Sequence, residues 1–146
     1  VERSKRADAD ANLLCGIENQ EGLNQFLQRW YQNTIFGNLR QSPHFSSLLE
    51  SKKFKQTKHW QQAINQLGVG KQLPYWNQLA TQQTPVTYVS GELDTKYDKI
   101  GVKLSKINLN IIHKQVIGCG HNTHYQQPVT FLETILETFK ILASPT

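Results

Sequence analysis

The sequence contains little cysteine and no long apolar run. Its two cysteines, Cys15 and Cys119, lie far apart among 146 residues, and neither has a CxxC partner or a metal-type cluster around it. Without a recognisable secretory signal, this pattern predicts reduced thiols in a cytoplasmic protein. No apolar stretch approaches the roughly 18–20 residues that a membrane-spanning helix needs, so we expect a soluble chain without a membrane partner.

The net charge is positive but is not concentrated in a nucleic-acid-binding pattern. Sixteen Lys and Arg against eleven Asp and Glu give +5 and a pI near 9.3, which suits an anionic partner of some kind. The densest basic run is Lys52, Lys53, Lys55 and Lys58. Because no RNA-binding aromatic signature or zinc spacing accompanies that run, we interpret it as a solvated surface and predict no nucleic-acid partner.

The length fits one domain, and the residue pattern changes at about position 82. Residues 1–82 predict helices and loops, with apolar residues at helical spacing in 21–32 and 58–67, a weaker helix in 3–14 and a short one in 45–50. We expect Gly68 to end the helix at 58–67 as a left-handed cap. Residues 33–44 read as a turn-rich connection.

Residues 83–146 predict two strands that alternate with two helices. Residues 85–90 and 111–117 are runs of β-forming residues that end at glycines, whereas 97–107 and 128–139 carry helical apolar stripes. A strand, a helix and a second strand in this order predict a parallel pair, so the fold class is α/β. Since two parallel strands do not make a stable sheet alone, we expect neighbouring strands from elsewhere and an open sheet edge.

Candidate catalytic residues follow both predicted strands. Asp94 lies in the loop Gly-Glu-Leu-Asp after the first strand, and His121 lies in Gly-Cys-Gly-His after the second. The carboxyl ends of parallel strands share one sheet edge, where a carboxylate can orient an imidazole and stabilise its cation. The alternative is that Asp94 only caps the following helix and that His121 only packs in a turn.

Four segments carry a family resemblance that covers essentially the whole chain. The strings GELDTKY and GCGHNTHYQQP resemble the last third of an α/β-hydrolase. Together with the WYQNTIF and GVGKQLPYW segments, the His-Asn-x-His loop is similar to the 2-succinyl-6-hydroxy-2,4-cyclohexadiene-1-carboxylate synthases of menaquinone and phylloquinone biosynthesis, and WYQNTIF is the most specific of these elements. The resemblance implies a helical cap over residues 1–82 and the last β-α-β-α part of the hydrolase core over residues 83–146.

The resemblance also implies roles for individual residues. Asp94 would be the catalytic acid and His121 the catalytic base of a Ser-His-Asp triad that eliminates pyruvate without a metal or organic cofactor. Arg6 and Lys52 would bind an anionic small-molecule substrate, although family members often have arginine at the position near Lys52. Trp30 and Tyr31 are candidates for the pocket lining, and their helical spacing favours packing within the cap as the alternative.

One part of the family pattern is missing from this sequence. None of its serines lies in a G-x-S-x-G motif, so the triad nucleophile is absent. We therefore expect the chain to be a carboxyl-terminal portion of an enzyme that is inactive alone. The alternatives are another α/β-hydrolase chemistry, such as ester or thioester hydrolysis, and a non-enzymatic fragment that self-associates or binds through its open sheet edge.

Overall fold

The computed structural model describes residues 2–143, which form eight α-helices and two β-strands. In chain order these are α1 (Glu2–Ala11), α2 (Gln20–Trp30), α3 (Phe45–Glu50), α4 (Thr57–Leu67), α5 (Trp76–Thr81), β1 (Val86–Gly91), α6 (Thr95–Ile107), β2 (Ile111–Val116), α7 (Thr123–Gln126) and α8 (Pro128–Ala143). Short 3₁₀ turns occupy Thr34–Phe36, Leu39–Gln41 and Phe54–Gln56.

The predicted helices of the first half are present, and the prediction for Gly68 is wrong. Its φ of −57° is not left-handed, although its N–H donates to the carbonyl of Ile64 and so ends α4. A Cβ at Gly68 would lie 2.5 Å from that carbonyl oxygen. Glycine is therefore required here by a close approach of the backbone and not by a left-handed turn.

The two strands pair in parallel, as the sequence predicted. Val86 is opposite Ile111 and Gly91 is opposite Val116, so the strands are in register over their whole length. The intervening helix α6 packs against both strands. Ile111, Val116 and Leu104 are buried in this part of the molecule, and the burial of their apolar surface stabilises the β-α-β unit.

The described residues divide into two compact units, and the boundary at residue 82 between a helical cap and a hydrolase core stays a prediction. The first unit contains residues 2–30 and 47–75, and its buried apolar residues include Leu23, Leu27 and Leu48. The second contains residues 31–46 and 76–143. The segment 31–46 belongs to the second unit because it bonds directly to the loop after β2, where the His121 N–H donates to the carbonyl of Ile35 at 2.8 Å.

Several large apolar side chains of the second unit are exposed. Leu109 and Ile112 lie beside and on β2, and α8 exposes Val129, Leu132 and Phe139. In residues 2–143 the sheet has only these two strands. Among the described helices, none combines the length and the apolar character that crossing a membrane requires.

Candidate active site

The two loops after the strands are bonded to each other at the carboxyl end of the sheet. The Glu92 N–H donates to the Val116 carbonyl at 3.0 Å, and the Leu93 N–H donates to the Cys119 carbonyl at 2.7 Å. The Glu92 carboxylate also accepts from the Gly118 N–H at 2.8 Å. These bonds extend the pairing of the strands into the loops and fix the positions from which Asp94 and His121 project.

Asp94 is buried and serves two neighbours at once. Its side chain is 2% exposed; Oδ1 accepts from the Tyr97 N–H at 3.3 Å, and Oδ2 lies 2.6 Å from Nδ1 of His121. The first contact caps the amino terminus of α6. Helix capping and contact with the histidine were alternatives in the sequence, and the structure shows that one carboxylate does both.

His121 is held by its backbone and its ring. Its N–H bonds to Ile35, and its ring lies against Tyr97 and Phe36, with centroid separations of 4.7 and 6.2 Å. The side chain is 37% exposed, so one face remains open. Because an ionised carboxylate only accepts hydrogen bonds, Nδ1 donates to Asp94, and Nε2 is the nitrogen that has the lone pair when the ring is neutral.

This arrangement has the geometry of an acid–base pair. A buried carboxylate on Nδ1 fixes the tautomer and orientation of the imidazole and stabilises the cation that forms when Nε2 takes a proton. The distance of 2.6 Å lies within the range of about 2.6–3.2 Å that such a pair requires. The sequence therefore correctly predicted that these two side chains meet, while their catalytic roles stay a prediction.

Glycines allow the surrounding segments to approach closely. A Cβ at Gly120 would lie 2.5 Å from the carbonyl carbon and oxygen of Phe36. Gly37 has a φ of +53°, which favours glycine, and its own Cβ would lie 3.2 Å from the Cα of Gly120. The turn at 36–37 and the histidine loop are therefore packed backbone to backbone.

Phe36 and Tyr97 are site residues that were not predicted from the sequence. Both rings contact His121 and so restrict its orientation. Tyr97 belongs to the GELDTKY string, and Phe36 belongs to the WYQNTIF segment. The WYQNTIF segment is the most specific element of the family resemblance, and this signal could have placed Phe36 at the site.

The two predicted substrate-binding cations belong to the first compact unit and have different surroundings there. Arg6 on α1 is half-exposed, and its Nε forms an ion pair with the buried Asp10 one helical turn later, at 2.9 Å. Lys52 lines a concave surface that encloses a volume of about 310 Å³. Its Nζ lies 6.0 Å from the centroid of the Trp60 ring. Arg6 is not among the residues that line that surface.

Trp30 and Tyr31 both pack against aromatic neighbours. Trp30 stacks on Phe26 one turn earlier in α2, with ring centroids 5.9 Å apart. Tyr31 is 7% exposed and contacts the edges of Phe36 and Phe45, and burial, with the nearby Tyr125, raises the pKa of its hydroxyl. These contacts are what packing predicts, and a role of either residue in lining a substrate pocket stays a prediction.

Cys119 does not have the surroundings of a nucleophile. It is fully buried, and burial raises the pKa of its thiol, so the reactive thiolate is disfavoured. Within residues 2–143, no cluster of three or more His, Cys, Asp or Glu side chains could hold a metal ion.

The sequence and the fold of this chain are each similar to those of a known protein. No family model matches the sequence. The chain is similar to Protein PHYLLO, chloroplastic, of Arabidopsis thaliana, with 29% identity over 149 aligned residues that include 96% of this chain and 8% of that protein. Its fold is similar to that of MenH from S. aureus, with a TM-score of 0.81 and 23% identity over 95% of this chain and 53% of that one.

The chain spans a small part of PHYLLO and about half of MenH. The similarity to MenH confirms the predicted fold class, and the similarity to PHYLLO supports the resemblance found in the sequence. The chain therefore has the α/β fold of about half of MenH.

Proposed function

We propose that this chain supplies the acid and the base of a Ser-His-Asp triad in an enzyme of menaquinone or phylloquinone biosynthesis. The observation that carries the proposal is the contact of 2.6 Å between Oδ2 of the buried Asp94 and Nδ1 of the half-exposed His121, at the carboxyl end of a parallel sheet. The likeness to PHYLLO and MenH supports the same pathway.

The proposed reaction is the elimination of pyruvate from 2-succinyl-5-enolpyruvyl-6-hydroxy-3-cyclohexene-1-carboxylate. A serine in contact with Nε2 of His121 would remove a substrate proton while the imidazole takes the serine proton, and Asp94 would stabilise the imidazolium that forms. The ring carbon–oxygen bond to the enolpyruvyl group then breaks, and its electron pair leaves with the enolate of pyruvate. The proton held by the His121 imidazolium passes to that enolate, which gives pyruvate and restores the neutral imidazole. The product is 2-succinyl-6-hydroxy-2,4-cyclohexadiene-1-carboxylate, and this chemistry needs no cofactor.

The serine of this triad is proposed to come from sequence outside these 146 residues. No G-x-S-x-G motif is present, and the buried Ser90 Oγ lies 2.7 Å from Nε2 of His113 instead of bonding to His121. The anionic substrate would be bound by Arg6 and Lys52, with Trp30 and Tyr31 near it. A cytoplasmic location also stays a prediction, since the word chloroplastic in the name of PHYLLO describes that protein.

Pyruvate release tests the proposal directly. The protein that contains this chain together with a nucleophile should release pyruvate from the enolpyruvyl substrate, followed continuously by reduction with lactate dehydrogenase and NADH. His121→Gln should remove the activity, whereas the exposed His59→Gln should retain it. If the protein instead hydrolyses a p-nitrophenyl ester, forms an acyl-enzyme that mass spectrometry detects and releases no pyruvate, the lyase proposal is wrong. Asp94 and His121 would then serve a hydrolase.

The exposed sheet edge favours a second candidate function, the binding of another chain. Ile112 on β2 is 42% exposed and Leu109 just before it is 94% exposed, a pattern suited to strand addition. If association is the function of this chain, Ile112→Lys should abolish a dimer seen by size-exclusion chromatography with light scattering. Lys114→Glu, on the same strand, is the control for a change of charge alone.

A further inference from the structure

A second polar cluster connects both strands to the first turn of α6. The Ser90 hydroxyl on β1 donates to Oδ1 of Asp98 at 3.2 Å and lies 2.7 Å from Nε2 of His113 on β2. Gln115, also on β2, donates from Nε2 to the same oxygen of Asp98 at 2.8 Å. Ser90 is 4% exposed, so the hydroxyl is removed from water.

This cluster contains Ser, His and Asp but does not have the geometry of a triad. A triad uses both ring nitrogens, one for the serine and one for the carboxylate. Here Ser90 and Asp98 both face Nε2 of His113, at 2.7 and 3.4 Å. A proton on Nε2 that is donated to Ser90, and a Ser90 proton that is donated to Asp98, satisfy all three groups, so Ser90 is not activated as a nucleophile.

The cluster instead anchors Asp98, one helical turn after Asp94, to the two strands. The Asp98 N–H donates to the Asp94 carbonyl at 2.9 Å, and Asp94 caps the same helix end. The Asp98 carboxylate is bonded to side chains of both strands. The start of α6 is thus fixed to the sheet by side chains, and the direction of the Asp94 carboxylate depends on that start.

Gly101 provides the space that this cluster needs. It lies in the interior of α6, where glycine is unfavourable relative to alanine, and it is buried. A Cβ at Gly101 would lie 2.6 Å from Nε2 of His113. The helix therefore contains an otherwise unfavourable residue at the position where the His113 ring lies against it.

We propose that Ser90, Asp98, His113 and Gln115 are positioning residues that hold Asp94 in its hydrogen bond with His121. The positioning of Asp94 does not depend on the proposed function. Only the catalytic use of the oriented His121 rests on it. Among the described residues, the hydrogen bonds of these four side chains lead to one another and to the start of α6, so each would act on His121 through Asp94.

The test measures the hydrogen bond itself in the full chain. The Nδ1 proton of His121, assigned by its loss in His121→Gln, is followed by ¹H–¹⁵N NMR, and its exchange with water is measured. We expect about a tenfold faster exchange in Asp98→Asn and Ser90→Ala, since a charge-assisted bond of this type is lost or misaligned. Gln115→Ala, a milder change at an exposed position, should accelerate exchange about threefold, because it removes one of the bonds to Asp98.

Ser105→Ala is the matched control for Ser90→Ala. It removes a hydroxyl from α6, far from the helix start, where Ser105 donates to the Val102 carbonyl one turn earlier, and exchange should not change. If Asp98→Asn and Ser90→Ala do not fold, the exchange rate measured in Gln115→Ala tests the proposal. Unchanged exchange in Gln115→Ala, equal acceleration in Ser105→Ala, or no Nδ1 proton in the unmodified chain would overturn the proposal.

Kinetics separate this inference from the proposed function. In the protein that contains the nucleophile, Gln115→Ala should lower kcat with little change in KM, because a misaligned base does not alter substrate binding. Absence of pyruvate release by the unmodified protein would refute the proposed function and leave the NMR result standing. Normal kcat in Gln115→Ala would overturn the positioning role.

Discussion

Gly120 and Phe36 meet through their backbones, so that a Cβ on the glycine would lie 2.5 Å from the phenylalanine carbonyl carbon and oxygen. This contact joins the histidine loop to a segment that lies 84 positions earlier in the sequence. If residue 120 had a Cβ, it would overlap with backbone atoms, which have no rotamers to relieve the overlap. The histidine loop or the turn at 36–37 would then have to move.

Gly120→Ala should therefore destabilise the chain by about 1–3 kcal/mol, the usual cost of overpacking. Urea unfolding followed by circular dichroism gives the free energy of unfolding. Gly22→Ala in α2 is the matched control, because a Cβ there has its nearest neighbour at 3.5 Å, and alanine favours the helix. Equal stability of the Gly120→Ala and unmodified chains would show that the contact is not close in solution.

Substitutions of Asp94 should separate its two tasks. Asn retains a helix-capping side chain, so Asp94→Asn should cost less stability than Asp94→Ala, for which we expect a loss of about 1–2 kcal/mol from the cap. In the protein that contains the nucleophile, Asp94→Asn should still reduce kcat by about 10³–10⁴-fold, because the amide does not stabilise the imidazolium. Thermal unfolding and pyruvate release measure the two effects. Equal activity of the Asn variant and the unmodified protein would refute the acid–base pair.

The two thiols should differ strongly in reactivity. Cys15 is exposed, whereas Cys119 is fully buried and has a pKa raised by burial. A raised pKa means that a smaller fraction of Cys119 is thiolate at pH 8, and the loss of thiolate adds to the loss of access. Labelling with iodoacetamide, followed by peptide mass spectrometry, should modify Cys15 first and Cys119 only as the chain unfolds. Rapid labelling of native Cys119 would return it to consideration as a nucleophile.

Arg6→Ala tests the proposed binding of a substrate carboxylate. Its ion pair with Asp10 uses Nε, which leaves the terminal guanidinium nitrogens to bind a carboxylate. We expect kcat/KM to fall by a factor that corresponds to about 1.5–3 kcal/mol, mainly through KM. Lys5→Ala, a loss of positive charge at the neighbouring exposed position, should have little effect. An equal fall of kcat/KM in Arg6→Ala and Lys5→Ala would show that Arg6 contributes only to the overall positive charge of the surface.

The isolated 146-residue chain should show no lyase or esterase turnover. His121 has no serine to activate, and residues of a triad act as a unit. Exposed apolar residues on α8, such as Leu132 and Phe139, should also promote association. Activity assays and size-exclusion chromatography of the same sample test both expectations. Substantial turnover by a monomer would mean that the chain is a complete small enzyme with a nucleophile that we have not recognised.

The sequence by itself determined the features that depend on local pattern. The β-forming runs ended at glycines and became β1 and β2, and Tyr97, Ile100 and Leu104 recurred at the spacing of a helix. Since the carboxyl ends of parallel strands share an edge, the positions of Asp94 and His121 after those strands were enough to predict that they meet.

Only the tertiary structure decided which distant segments complete the site. The sequence predicted only a turn-rich connection over residues 33–44, and the structure shows that Ile35 and Phe36 in it bond to and pack against the loop of His121. The contact of Gly101 with His113 likewise joins a helix to a strand, and no periodicity within either segment reveals it. Periodicity reports which face of an element is apolar, whereas the choice of partner depends on the packing of backbone and side chains that are far apart in the chain.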